Sequence, residues 1–288
     1  MEKEHFVPAL ELLRQPVLPL VSMVQFLFFT GPFQRITEVV AELPEPIETD
    51  YTRYEHPAAV LSPYLALLSG LEKVKQGQPP PAAVVSEDGT PVDSMTAASS
   101  LVRQAVLERE LEQVNSLFCK PCRCTLCCIG PDRSMQQEFF EIPLHERETA
   151  LFAATRHDSP ASRRHTSADT EILFCDGRPF YSRPDPGIFH WRNGWSLILP
   201  RESVCPNLDP ADGRCRVYAR RPGVCRKPQI FGYILEELED EDGTAGRYRL
   251  RDTLLAVRDC PYVQTCREEI GDYAAACELK LVLRQNKQ

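Results

Sequence analysis

Glycine is scarce in this sequence, with 14 residues in 288 against 25 prolines. Fixed φ angles at that density favour rigid turns and short elements. Long hydrophobic runs are missing too. The most apolar stretch, Val17–Phe29, is broken by Pro19 and Gln25 and falls short of the roughly 20 apolar residues that a membrane span needs. The opening residues, MEKEHFVPALELLRQP, carry acids and a proline where a secretory signal carries basic residues and an apolar core. No membrane association is expected, and the expected compartment is the cytoplasm. A basic excess is absent as well. Lys+Arg total 33 against 41 Asp+Glu, a net charge of −8, which argues against general binding to nucleic acid. The sequence also lacks GxGxxG, GxxxxGK(S/T), GxSxG and HExxH, so no phosphate cradle or nucleophile setting is legible. No internal repeat is present.

What the sequence does have is an ordinary globular balance, 43% hydrophobic and 26% charged, which excludes wholesale disorder. It also has 12 cysteines, most of them clustered. Cys119-Lys-Pro-Cys122-Arg-Cys124-Thr-Leu-Cys127-Cys128 places five in ten residues. A second group contains Cys205, Cys215 and Cys225, with Cys260 further on. In a reducing compartment such clusters bind metal or do redox work more often than they form disulfides. Pro121, Pro206, Pro210, Gly213, Pro222 and Gly223 supply turns that let sulfurs converge. No second CxxC or paired histidine follows at zinc-finger spacing, and His145 and His190 read as ordinary surface or partly buried residues.

Eight cysteines form the candidate ligand set: Cys122, Cys124, Cys127, Cys128, Cys205, Cys215, Cys225 and Cys260. Eight would serve two four-thiolate sites. Alternatively, one of Cys124, Cys127 or Cys128 joins Cys205, Cys215 and Cys225 around a single site. Adjacent side chains diverge in an extended chain, so Cys127 and Cys128 are expected to serve two metal sites or two irons of one cluster. That argument, with the surplus of cysteines, places an iron–sulfur cluster ahead of zinc. Cys175, Cys266 and Cys277 read as structural. Between Cys205 and Pro228 stand six basic residues, Arg214, Arg216, Arg220, Arg221, Arg226 and Lys227, and two acids. Their guanidinium groups suit the net negative charge of a thiolate site.

Local patterns place these residues in an α+β fold: a helical N-terminal region, then a small metal-stapled cysteine-cluster domain with short strands. Helices are expected over 9–14, 17–30 and 57–75, and 76–95 reads as a proline-rich linker. The domain boundaries are accordingly 1–75, 76–95 and 96–288. A helix over 96–118 carries the stripe Leu107, Leu111, Val114 and Phe118. Strands are expected at 138–142, 171–175 and 187–192, with Pro143 opening a helix to about 155. Asn193-Gly194 marks a hairpin. Ile230–Leu235 and Tyr248–Leu250 are expected to pair across an acidic loop at 236–246, and a helix over 268–283 closes the chain.

The run Cys124-x-x-Cys127-Cys128, then Cys205-Pro-x-Leu and Gly213-x-Cys215-x-Val-Tyr218-x-x-Arg221-Pro222-x-x-Cys225-Arg226, resembles the YkgJ-type cysteine-cluster family over about residues 119–262. The family opens with CxxCxxCC. Here Cys122 stands one position late, with Cys119 as the alternative first ligand. The resemblance implies zinc or iron chelation and leaves the biochemical role open. The cluster is also similar to that of flagellin lysine N-methylases, which implies a methylase-like or redox enzyme as one alternative. A zinc-stapled scaffold for a protein partner is the other.

Overall fold

The computed structural model describes residues 3–122, 124–238 and 246–285, and it is α+β. The chain forms two compact units. The first takes Met1–Phe118, Gln229–Arg258 and Tyr262–Arg284; the second is built from Cys119–Pro228 and Asp259–Pro261.

In the first unit, the helix Ser94–Cys122 supplies the organising stripe. Leu107, Leu111, Val114 and Phe118 are all buried, as their spacing predicts. Phe118 stacks on Tyr262 at 4.8 Å and meets Phe6 edge-on at 5.3 Å. The helices Val7–Arg14 and Leu18–Thr30 bury Leu10, Leu13, Leu20, Val24 and Phe28. The run Lys3–Thr30 has the length and apolarity of a membrane span, but half of its most apolar window is buried within the protein.

A four-stranded sheet completes this unit. Strand Ile230–Glu237 pairs antiparallel with Arg247–Val257, which pairs in parallel with both Lys280–Arg284 and Ala83–Val85. Two polar side chains of the long helix satisfy the first strand. Asn115 exchanges hydrogen bonds with the Ile230 backbone, donating at 2.8 Å and accepting at 3.0 Å. Gln104 Oε1 accepts from Ile234 and Leu235, beside the bulge between Tyr233 and Leu235. A buried N–H without a partner is costly, so these two amides fix the helix against the strand.

Several expectations need correction. The chain does not divide at 95/96, and 76–95 is not simply a linker, because Ala83–Val85 is a strand of the first unit's sheet. Its partners Arg247–Arg249 come from the far end of the sequence. The expected helix over 57–75 is three short ones, Pro57–Leu61, Leu65–Leu68 and Gly70–Lys75, interrupted at Ser62-Pro63 and Ser69; proline removes a helix donor. The closing helix stops at Ala276, Glu278 adopts φ +59°, and Lys280–Arg284 is a strand. Of the acidic loop, 239–245 lie outside the described residues.

In the second unit the sheet order is Phe139–Leu144, Gly194–Pro200, Gly187–Trp191, Thr155–His157. The hairpin at Asn193-Gly194 is present, with Gly194 at φ +122° and Trp191 paired to Gly194. Pro143 belongs to an edge strand rather than opening a helix, the kind of strand that tolerates proline. The strand leads into the 3-10 helix Glu146–Leu151. The strand expected at 171–175 is only Phe174–Cys175.

One buried acid in the first unit yields a test. Glu110 accepts hydrogen bonds from the Val17 N–H at 2.9 Å and the Tyr273 hydroxyl at 2.6 Å. Burial nevertheless pushes its carboxyl up to about 7. Between the ordinary glutamate value near 4.3 and about 7, the folded chain keeps a proton that the unfolded chain has released. Stability therefore falls as pH rises through that window, by on the order of 3 kcal/mol, and is flat above it. Urea unfolding at pH 5 and pH 7.5, followed by far-UV circular dichroism, should show this decline. Glu110→Gln should lose most of it.

Candidate metal centre

The sulfurs are collected by backbone pairing. Ile129 bridges Val204 in antiparallel fashion. On either side, the Cys205 N–H donates to the Cys128 carbonyl at 2.8 Å and the Gly130 N–H donates to the Ser203 carbonyl at 2.8 Å. This clamp sets Cys128 beside Cys205. A second bridge, Leu208 to Cys215, closes a loop in which Asp209 N–H meets the Arg214 carbonyl and Arg216 N–H meets that of Asn207. It brings Cys215 back towards Cys205. Cys225 lies in the 3-10 turn Gly223–Arg226, whose first N–H donates to Glu148 Oε1 at 3.1 Å. Cys128, Cys205 and Cys225 all pack on the cluster Ile142, Leu144, Phe152, Ile188, Leu197 and Leu199.

Cys127 and Cys128 lie in a turn, not in extended chain. The Cys128 N–H donates to the Thr125 carbonyl at 2.8 Å, and the two Sγ atoms are 4.0 Å apart. The expectation that these side chains diverge is therefore wrong, since the turn aims both sulfurs the same way. The spacing is close to the S···S edge of a tetrahedral thiolate site, about 3.8 Å for metal–sulfur bonds of about 2.3 Å. The hydrogen bond between them separates their acidities. Cys127 is drawn down to about 7, while Cys128 is pushed far up. Burial raises Cys205, and it raises Cys225 to about 12.

Of the six basic residues, Arg221 is placed among the thiols. It is buried, stacks over the Tyr218 ring at 3.8 Å, and directs Nη1 to Cys119 Sγ at 3.7 Å. It also faces Cys127 and Cys225, lowering both. Arg214 and Arg216 pair instead with Asp212 and Asp209, each at 3.5 Å. Cys119, which the sequence offers only as an alternative, belongs to this neighbourhood. Its i, i+3 relation to Cys122 on one helix is the signal for that. His190 binds Asp158 at 3.1 Å and stacks on Trp195, and His145 caps a turn through Glu148. Cys266 and Cys277 are buried in the first unit, and Cys175 adjoins the Asp176-Gly177 turn.

Among the described residues, no three Cys, His, Asp or Glu side chains already surround one point. The donors nevertheless fit a soft transition metal. They are free thiols, two of them at ligand spacing, beside a buried guanidinium that suits a thiolate site's negative charge.

Gly130 holds the clamp. A Cβ there would lie 1.8 Å from the Pro200 carbonyl oxygen, so any side chain forces the two strands apart. Gly130→Ala should destabilise the second unit by more than about 2 kcal/mol. Tryptophan fluorescence should register this, because both tryptophans belong to that unit.

Comparison with known proteins agrees with this geometry. Residues 118–246, somewhat under half of the chain, match the sequence family CxxCxxCC, described as "Putative zinc- or iron-chelating domain". No curated protein and no solved structure matches the chain. The match falls on the segment that holds both cysteine groups, the part of the chain whose residues resemble that family.

Proposed function

We propose that the second unit binds one soft metal ion, zinc or iron, directly through thiolates, with Cys127 and Cys128 as two ligands and Cys205, Cys215 and Cys225 as the source of the others. The observation that carries this reading is the 4.0 Å separation of the Cys127 and Cys128 sulfurs. That distance suits two ligands of one ion better than ligands of two separate irons. The ion would add a further link between three chain segments, and it would contribute folding free energy to the unit. In this reading the metal is a staple that shapes the surface around Tyr218 and Arg221. Clustered cysteines that bind metal are typical of a reducing compartment, and the cytoplasm is proposed on that ground.

An iron–sulfur cluster is the second reading. It draws support from the additional thiols near Cys127, namely Cys119 and Cys122, which could supply the ligands that a cluster needs.

Metal and acid-labile sulfide, measured together with a visible spectrum on protein purified without oxygen, decide between the two. Colourless or pale protein with metal and no sulfide supports direct thiolate ligation. Brown protein with iron and sulfide in comparable amounts overturns it in favour of a cluster. Cys128→Ser and Cys225→Ser should each lose most of this metal and lower the melting temperature, whereas Cys277→Ser should retain the metal. Equal metal in all three variants would remove the ligand assignment.

A further inference from the structure

The turn at Thr125–Cys128 prepares its two thiols for a reaction with each other. The Cys128 N–H closes the turn on the Thr125 carbonyl at 2.8 Å. The Cys127 and Cys128 sulfurs stand 4.0 Å apart, so about 2 Å of approach, within reach of side-chain rotation, would bring them to S–S bonding distance. The backbone needs no further gathering, because the Cys128 carbonyl already accepts from the Cys205 N–H at 2.8 Å and Ile129 bridges Val204. Both thiols are partly exposed, which lets a small oxidant reach them from solvent.

The position of the pair also sets the character of such a bond. The peptide joining Cys127 to Cys128 is trans, which places the two Cα atoms about 3.8 Å apart. Disulfides usually span about 4.4–6.8 Å between Cα atoms. A bond between these neighbours is therefore strained, and strained disulfides are readily reduced. Such a bond makes a poor staple. It suits a modification that an oxidant installs and cellular thiols remove.

We infer that Cys127 and Cys128 are an oxidation site, which a hydroperoxide converts to a vicinal disulfide, withdrawing both sulfurs from metal until a thiol reduces it. One thiolate attacks a peroxide oxygen, the O–O bond breaks and hydroxide leaves, giving a sulfenic acid. The second thiolate attacks that sulfur and displaces hydroxide, and the S–S bond forms. The two sulfurs lose two electrons, hydrogen peroxide gains them, and with two protons the hydroxides become two waters. The oxidation needs no metal. The release of an ion rests on the reading that these two thiols are its ligands.

The test treats the full-length chain, purified without oxygen and loaded with zinc, with hydrogen peroxide. Remaining thiols are then alkylated and the protein is digested with trypsin. Cleavage after Arg123 and Arg133 isolates Cys124–Arg133, which contains Cys124, Cys127 and Cys128. The expected product is this peptide with Cys124 alkylated and the other two cysteines joined, lighter by two hydrogens. Fragment ions that part Leu126 from Cys127 locate the bond. Dithiothreitol before alkylation should restore three alkylated cysteines. Cys127→Ser and Cys128→Ser should each abolish the product, whereas Cys124→Ser should keep it. Zinc captured by a colorimetric chelator should appear in step with the disulfide. A bond from Cys127 or Cys128 to any other cysteine, sulfinic acid without a disulfide, or an unchanged peptide would overturn the oxidation site. A disulfide formed while the chain keeps its zinc would overturn the withdrawal from metal. If the chain takes up no zinc, the reading of these thiols as zinc ligands fails, and the peptide alone still decides the oxidation site.

Discussion

The cysteine-cluster unit depends on a short backbone clamp. Residues 128–130 and 203–205 are joined by two hydrogen bonds and one bridge, and the clamp does what side chains alone could not. It places thiols far apart in sequence next to one another before any ligand arrives. Gly130 has no Cβ and so lets the strands close against Pro200. Metal affinity in such an arrangement reflects how little the ligands must still move, since ordering loops at the moment of binding would offset much of the gain. Position is thus encoded in the backbone, and the sulfurs inherit it.

Electrostatics complete the arrangement. Thiols buried against Leu197, Leu199 and Ile142 resist ionisation, because burial disfavours the charged form. Arg221 opposes that effect where it faces Cys119, Cys127 and Cys225. Its stacking on the Tyr218 ring helps to hold a cation in a buried place. The Arg-Pro-x-x-Cys-Arg segment therefore reads as one device: a turn fixed by Pro222, a thiol at Cys225, and a guanidinium directed back at its neighbours.

Much of this was legible in the sequence, for reasons that differ between elements. The stripe from Leu107 to Phe118 and the Asn193-Gly194 hairpin carry local periodicity or turn chemistry, so each is readable without knowledge of its partner. The cysteines were readable as a class, because their clustering is improbable without a shared task. What escaped was set by tertiary contacts. Ala83–Val85 is too short to show a period, and its partner strand is Arg247–Val257. Lys280–Arg284 comes after a helix that ends at an unannounced positive φ. The turn at Thr125–Cys128 has no glycine or proline, so nothing in the letters said that adjacent thiols would point together. Arg221 was one of six basic residues, and its selection rests on burial.

The order in which the chain visits its two units has a consequence for biosynthesis. The first unit is begun before residue 119, abandoned, and completed only after residue 229, while the second recovers Asp259–Pro261 from within that return. Neither unit exists as one continuous stretch. A nascent chain stalled at Pro228 would display most of the thiols but would lack three of the four strands of the first unit's sheet, and Cys260 as well. Each unit is thus complete only late in translation, and a gene fragment cut at the edges of the matched residues would encode neither unit whole.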